Sequence, residues 1–458
     1  MEVVILAAGK GTRMFSNKPK VMHTLGGKPM LQRVTDAAGD ANAGRSHIVV
    51  GYGADQIKTE FTPESSLPIN WVLQEEQLGT GHAVQQAIPS IDTKDPNNTV
   101  LILYGDVPLI TPETLQKLLA LSGENSMSLL TLLTDNNQGL GRIVRNGSGD
   151  VVAIVEEKDA NEQQKQIREI NSGIMTVPAP KLQKWLQQID NTNNQAEYYL
   201  TDIVALAVED GCRINPLIIE DEFEVQGVND KTQLANLERH LQMTNTTKLL
   251  EQGTTLRDPA RVDIRGELSC GKDVVIDVNV IFEGSVSLGD NVTIGANVII
   301  KDSTIGNNSE ILAGSNIDGA EIKESAAVGP NARIRPGTVL ENKVKIGNFV
   351  ETKNAVMGAG SKANHLAYIG DAEVGENCNI GAGTIFCNYD GANKHKTILG
   401  NNVFVGSNSV LVAPLSLADN AFVAAGSAVN SDVPADSLAL ARGKQRNIAG
   451  WKRPKKKS

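Results

Sequence analysis

From Val262 onward aliphatic residues recur every six positions: Val262, Leu268, Val274, Val280, Val286, Val292 and Val298 form one row, with Ile264, Cys270, Ile276, Phe282, Leu288, Ile294 and Ile300 two residues behind. A helix repeats its apolar face near 3.6 residues and a strand near 2, so this period requires a longer unit stacked on copies of itself. Gly, Asn, Asp and Ser fill the gaps, as in Gly289-Asp290-Asn291, where a chain must turn corners. The pattern predicts a three-sided parallel β-helix, each hexad a short strand plus a corner with its aliphatic side chains inward. One coil cannot bury its own core, so the stack supplies stability. The ladder slips through Ile305, Ile311, Ile317, Ile322, Val328 and Ile334, then breaks between Cys387 and Thr397, where a loop expelled from one corner is expected.

The first half reads differently. Val3 to Ala7, Ile48-Val49-Val50 and Val100 to Tyr104 are buried-strand runs that alternate with helical stretches, which predicts a Rossmann-like α/β domain with a mostly parallel sheet. Leu234, Leu237 and Leu241 then recur at helical spacing. The expected partition is an α/β domain over 1–230, a linker helix over 231–251 and the β-helix with its tail over 252–458.

Charge narrows the functional classes. Against 43 Lys and Arg stand 53 Asp and Glu, a net charge of −10, which argues against nucleic acid as a general partner and leaves anionic small substrates to local basic clusters. Cys212, Cys270, Cys378 and Cys387 show neither metal nor disulfide spacing and fit a reducing cytoplasm. The opening Met1-Glu2-Val3-Val4-Ile5-Leu6 has no basic leader, and no apolar run approaches membrane-spanning length, so neither secretion nor a membrane is expected.

Candidate chemistry begins directly after the first strand, in Ala7-Ala8-Gly9-Lys10-Gly11-Thr12-Arg13-Met14 and Lys18-Pro19-Lys20. Glycines at a strand's carboxyl end let backbone amides approach a phosphate, and Lys10, Arg13 and Lys20 can neutralise one. This is neither the dinucleotide fingerprint, whose third glycine would fall on Met14, nor a Walker loop; an ordinary strand-helix turn is the alternative. Gln74, ahead of Gln77-Leu78-Gly79-Thr80-Gly81-His82, can offer a base edge both a donor and an acceptor, with His82 more structural than catalytic. Asp106 in Tyr104-Gly105-Asp106 ends a buried strand, where open α/β sheets bind ligands, and suits magnesium shared with substrate phosphates; a turn or cap aspartate is the alternative. Gly141-Arg142, Val155-Glu156, Asn171-Ser172-Gly173 and Gly227-Val228-Asn229 offer further amide, hydroxyl and metal contacts.

The run Leu6 to Met14 with Lys18-Pro19-Lys20 resembles the nucleotide-sugar pyrophosphorylase fingerprint. Joined to the hexad ladder, it makes the chain similar over nearly its whole length to the bacterial bifunctional N-acetylglucosamine-1-phosphate uridylyltransferase/glucosamine-1-phosphate acetyltransferases. Glu197 to Asp202, His365, Asn388-Tyr389-Asp390-Gly391 and Arg442 follow in the family's order, while Leu140 departs from its usual tyrosine. The resemblance implies a left-handed β-helix. It also implies that Leu6, Ala7, Ala8, Gly9, Arg13, Lys20, Gln74, Gly79, Thr80, Tyr104, Gly105, Asp106, Gly141, Glu156, Asn171 and Asn229 bind the uridine nucleotide-sugar. Asp106 and Asn229 would hold Mg2+ while N-acetylglucosamine-1-phosphate attacks UTP.

For the second site the resemblance implies His365 as the base that frees the amine of glucosamine-1-phosphate, with Glu351 orienting or polarising it. Arg335 and Lys353 would hold the sugar phosphate, and Tyr368 and Asn379 the sugar. Ala382, Asn388, Tyr389, Ser407, Ala425 and Arg442 would line the acetyl-CoA side. Lys394 on the expelled loop would reach a neighbouring subunit of a homotrimer. Two rival readings stand beside this: a single-activity nucleotidyltransferase with a scaffolding β-helix, and a non-catalytic binding subunit. The basic tail from Trp451 to Ser458 reads as solvated.

Overall fold

Val3 and Ile5 fall on one face of the first strand and Val4 on the other, and all are fully buried, so helices must cover both faces of the sheet that contains them. The computed structural model, which describes residues 1–63 and 66–454, shows this arrangement. Its strands are β1 (Glu2–Ala7), β2 (Arg45–Val50), β3 (Ile69–Leu73), β4 (Thr99–Tyr104), β5 (Ser126–Leu133), β6 (Arg142–Arg145), β7 (Val151–Val155), β8 (Glu169–Pro178) and β9 (Arg213–Ile219). They lie in the order β9-β5-β8-β4-β1-β2-β3, and β6 and β7 form a hairpin that meets β8. Pairing is parallel except at β8, which runs antiparallel to β4 and β5. Its register with β5 shifts between Asn171 and Met175, a bulge that re-aims side chains beside the sheet's carboxyl end.

The chain divides into two compact units, Met1–Leu241 and the segment from Gln242 onward. Their boundary falls within the helix Lys231–Glu251. In the first unit Leu237 is fully buried with Met14, Leu25 and Met30, and Leu234 and Leu241 pack on the same cluster. The leucines at helical spacing therefore serve packing.

The second unit is a left-handed parallel β-helix. Val262 pairs with Val280, 18 residues on, which is three hexads to a coil. Where the ladder slips, Ile299 pairs with Asn316, only 17 residues on. Asn279, Asn291, Asn297, Asn308 and Asn331 take left-handed backbone at corners, a conformation asparagine tolerates better than most residues. Their side chains stack from coil to coil, as in Asn279 Nδ2 to Asn297 Oδ1 at 3.0 Å. Inside, one continuous core runs from Val262 to Val433. Leu268 and Cys270, counted in the ladder, are only half-buried, because they lie on the first coil with no coil beyond them.

At that first coil the buried side chain of Gln242 donates from Nε2 to the Ile264 carbonyl (2.9 Å) and accepts from the Ile264 amide (2.7 Å). Farther along, Tyr368 pairs with Ile385 at the usual 17-residue interval, whereas Ala372 pairs with Thr397, 25 residues on. The surplus leaves the coil between Cys387 and Thr397, so the expelled loop is present and the stack closes beneath it. All four cysteines are free thiols. Among the described residues no helix is long and apolar enough to cross a membrane. In the tail Trp451 is exposed, and Lys455–Ser458 lie outside the described residues.

Two candidate active sites

In the first unit, β1 and β4 are neighbouring parallel strands, so the segments following Ala7 and Tyr104 emerge at the same edge. There a cavity of about 240 Å³ is lined by Leu6, Ala7, Ala8, Gly9, Lys20, Gln74, Gly79, Thr80, Tyr104 and Asp106. A second cavity, about 450 Å³, shares Tyr104 and Asp106 and adds Asn171 and Asn229. Twelve of the sequence-predicted residues thus meet around two connected hollows. Asn171 reaches its place through the β8 bulge. Gly173 in that bulge has φ 85°, and a Cβ there would stand 2.5 Å from the Tyr104 ring.

The polar groups are held individually. Gln74, only 3% exposed, donates from Nε2 to the Gly79 carbonyl (3.2 Å) and lies 3.1 Å from His82 Nδ1, so His82 fixes the amide that faces the cavity. Burial, with Glu156 and Asp106 nearby, pushes the Tyr104 phenol well above its ordinary value; it stays a neutral hydrogen-bonding group beside Thr80. The ammonium of Lys20 contacts the Asp106 carboxylate and lies 3.3 Å from Asn229 Oδ1. Both predicted metal oxygens therefore converge on one cation.

The remaining predicted residues lie outside the lining. Gly105 backs onto Val21, Ala7 and Leu31, so its small size serves packing. Arg13 is exposed on the turn Thr12–Met14. Glu156 accepts from Thr201 Oγ1 at 3.0 Å while burial raises its pKa. Gly141 adjoins that carboxylate, and its carbonyl accepts from the Asn171 amide at 2.8 Å.

In the second unit, stacked coils bring distant residues into register. Glu351 pairs with Arg333 on one side and Tyr368 on the other, and Asn348 pairs with His365. Asn348 Oδ1 stands 2.8 Å from His365 Nδ1. An amide oxygen only accepts, so Nδ1 carries the proton and Nε2 remains the basic nitrogen. Glu351, expected to orient the imidazole, instead pairs with Arg335 Nη1 at 2.7 Å. The residue fixing His365 is Asn348.

Asn388 Nδ2 donates to Asp371 Oδ2 (2.5 Å) and lies 3.4 Å from the Tyr368 hydroxyl. Lys353 has Lys394 against it and Arg335 near it, and these like charges, Lys394 foremost, lower its pKa. Lys394, expected at a neighbouring subunit, thus meets Lys353 of its own chain. Asn379 pairs with Phe404, the Ala382 and Ser407 carbonyls accept amides of successive coils, and Arg442 Nη1 donates to the Ala425 carbonyl at 2.8 Å. Tyr389 is 60% exposed.

The sequence model for the MobA-like NTP transferase domain matches residues 3–164, that for the hexapeptide repeat of succinyl-transferase residues 268–302, and that for the GMPPB C-terminal domain residues 317–424. A Marinobacter nauticus protein named Bifunctional protein GlmU is 54% identical over 457 residues, covering 100% of this chain and 99% of its own. Proteins of the same name from Stutzerimonas stutzeri and Cellvibrio japonicus are 53% and 54% identical, with both chains covered in full. The chain belongs to the GlmU family.

Like its GlmU relatives in name, this chain has two chemical centres to account for, one group of polar residues in each unit. Within the GlmU chain, sequence reading missed Gln77 and Glu197 in the first lining, and Asn348 and Asp371 in the second site. Asn348 had a usable signal: it precedes His365 by 17 residues, one slipped coil, which is the interval that makes two β-helix residues neighbours.

Proposed function

We propose that the chain is a bifunctional enzyme that makes UDP-N-acetylglucosamine. Its β-helix transfers the acetyl group of acetyl-CoA to glucosamine-1-phosphate, and its α/β unit then transfers uridylyl from UTP to the product, releasing pyrophosphate. The observation that carries this reading is that full-length family membership coincides with two separate sets of converging groups, a glycine-lined double cavity with Lys20, Asp106 and Asn229, and a His365 column with gathered cations.

In uridylyl transfer a phosphate oxygen of N-acetylglucosamine-1-phosphate forms a bond to the α-phosphorus of UTP as the bond to pyrophosphate breaks. Both reactants are anions, so the chain's task is alignment and charge neutralisation, and no protein nucleophile is required. Gln74 addresses the base, the backbone from Leu6 to Gly9 and Gly79-Thr80 approach the nucleotide, and Asn171, Glu156 and Gly141 face the sugar. Lys20 and Arg13 stabilise charge on the leaving pyrophosphate. Two oxygen donors converging on one cation fit a hard divalent ion: Asp106 and Asn229 would hold magnesium, which when bound supplies further neutralisation of phosphate charge.

In acetyl transfer His365 Nε2 takes a proton from the substrate ammonium, and the freed amine attacks the thioester carbonyl. The carbon–sulfur bond then breaks and CoA leaves as the thiol. Arg335 and Lys353 hold the phosphate, Glu351 holds Arg335, and Tyr368 and Asn379 meet the sugar. Ala382, Asn388, Tyr389, Ser407, Ala425 and Arg442 receive the CoA. We place the enzyme in the cytoplasm as a homotrimer, with residues 1–230 and 252–458 as the domains serving the two reactions.

The test supplies glucosamine-1-phosphate, acetyl-CoA, UTP and magnesium and reads CoA and pyrophosphate separately. Wild type releases both. His365→Ala abolishes CoA release and keeps pyrophosphate release when N-acetylglucosamine-1-phosphate is supplied. A wild-type chain that releases pyrophosphate alone would instead establish a single-activity nucleotidyltransferase.

A further inference from the structure

The expelled loop between Cys387 and Thr397 is closed around one carboxylate. Asp390 Oδ1 accepts from the backbone amides of Ala392 (2.8 Å) and Asn393 (2.6 Å), and its Oδ2 stands 2.7 Å from His395 Nε2. The His395 amide donates to the Asn388 carbonyl at 2.8 Å, and Tyr389 faces Lys394 across an antiparallel bridge. The feet of the loop are tied separately, Asn388 to Asp371 and Lys396 to Glu373. The Asp390–His395 pair is therefore free to set the tip alone.

Neighbouring side chains on extended backbone leave on opposite sides. With His395 turned to Asp390, the side chain of Lys394 departs the other way, and it lies against Lys353, which also feels Arg335. Three cations gathered with little opposing charge repel one another, and a slack loop would relieve the repulsion by releasing Lys394 into solvent. Something must hold it there until an anion arrives. The Asp390 carboxyl, lowered well below the usual carboxylate range by the Asn393 amide, His395 and the Ala392 amide, stays ionised to do so.

We propose that His395 and Asp390 are positioning residues of the acetyl-transfer site, whose side-chain pair fixes the loop so that Lys394 completes, with Lys353 and Arg335, a three-cation seat for the phosphate of the sugar substrate. The inference rests on the reading of this site given above and adds two residues that touch neither substrate.

The experiment uses the full chain with glucosamine-1-phosphate and acetyl-CoA varied in turn. His395→Ala raises the KM for glucosamine-1-phosphate about tenfold, the scale of one charge-assisted hydrogen bond, while kcat and the KM for acetyl-CoA change less than about twofold. His395→Gln, which keeps a donor toward Asp390, recovers most of the loss. In a Lys394→Ala background, adding His395→Ala changes nothing further, because the imidazole acts through that lysine. Pyrophosphate release from UTP is unchanged in every variant. An unaltered KM in His395→Ala, or an effect that persists undiminished without Lys394, would overturn the proposal. Wild type that releases no CoA overturns the reading of the site itself, and the proposal with it.

Discussion

Gly79→Ala is the sharpest perturbation of the nucleotide site, because its cost can be read from backbone geometry. Gly79 stands at φ 113°, ψ 174°, a region nearly confined to glycine and costing other residues about 1–3 kcal/mol. An added Cβ would lie 2.6 Å from the Tyr198 carbonyl oxygen and 2.9 Å from its nitrogen. Neither can yield freely: the Tyr198 amide donates to the Leu78 carbonyl and its carbonyl accepts from the Gly81 amide, both at 2.8 Å. Relief breaks one of these bonds, about 1 kcal/mol more. The turn carries Thr80 and the carbonyl that Gln74 holds at 3.2 Å, so both cavity-facing groups move with it. A total of about 3 kcal/mol corresponds to roughly a 150-fold fall in kcat/KM for UTP. Pyrophosphate release at varied UTP measures it, with CoA release as the internal control. A variant with wild-type KM and kcat for UTP would show that this turn does not line the nucleotide, and the assignment of the smaller cavity would fall.

Asp106→Asn keeps the shape but removes the charge that faces Lys20, so pyrophosphate release should fall at least 100-fold and the magnesium concentration for half-maximal rate should rise, while CoA release is unaffected; a magnesium titration that overlays wild type would exclude Asp106 as a metal ligand. Asp202 carries a pKa pushed up to about 6 by burial, then by Asp190, Glu156 and Asp159. A carboxyl raised on folding binds its proton more tightly in the native state, so its contribution is full below the unfolded value near 3.8 and is lost as pH rises through about 6. Asp202→Asn should therefore stabilise the α/β unit at pH 7.5 by about 1 kcal/mol, after allowing for solvent screening of a half-exposed group, with the advantage vanishing near pH 4. Thermal unfolding at the two pH values decides, and an equal shift at both would refute the electrostatic account.

The β-helix was legible in the sequence because its core is one-dimensional: each inward position repeats at a fixed interval, so Val274, Val280 and Val286 announce their burial without knowledge of any partner. Leu268 and Cys270 obey the same rule yet lie half-buried, since periodicity does not mark where the stack begins. In the α/β unit the strand runs were legible, but the antiparallel β8 and its bulge were not, because pairing partners are chosen by the whole sheet. At the sites, residue types that carry chemistry could be found and their partners could not. Glu351 looked like the orienting acid for His365 by type, whereas register gives that place to Asn348 and gives Glu351 to Arg335. The surroundings of Lys394 depend on how its loop folds, which no interval in the chain encodes.

The glutamine at the first coil has a consequence for solubility. A parallel stack is open-ended by construction: its outermost strand offers amides and carbonyls that another chain could adopt as a template. By answering both the N–H and the C=O of Ile264, the carboxamide of Gln242 imitates a strand one residue long, and a lattice that could otherwise go on recruiting layers is brought to a stop there.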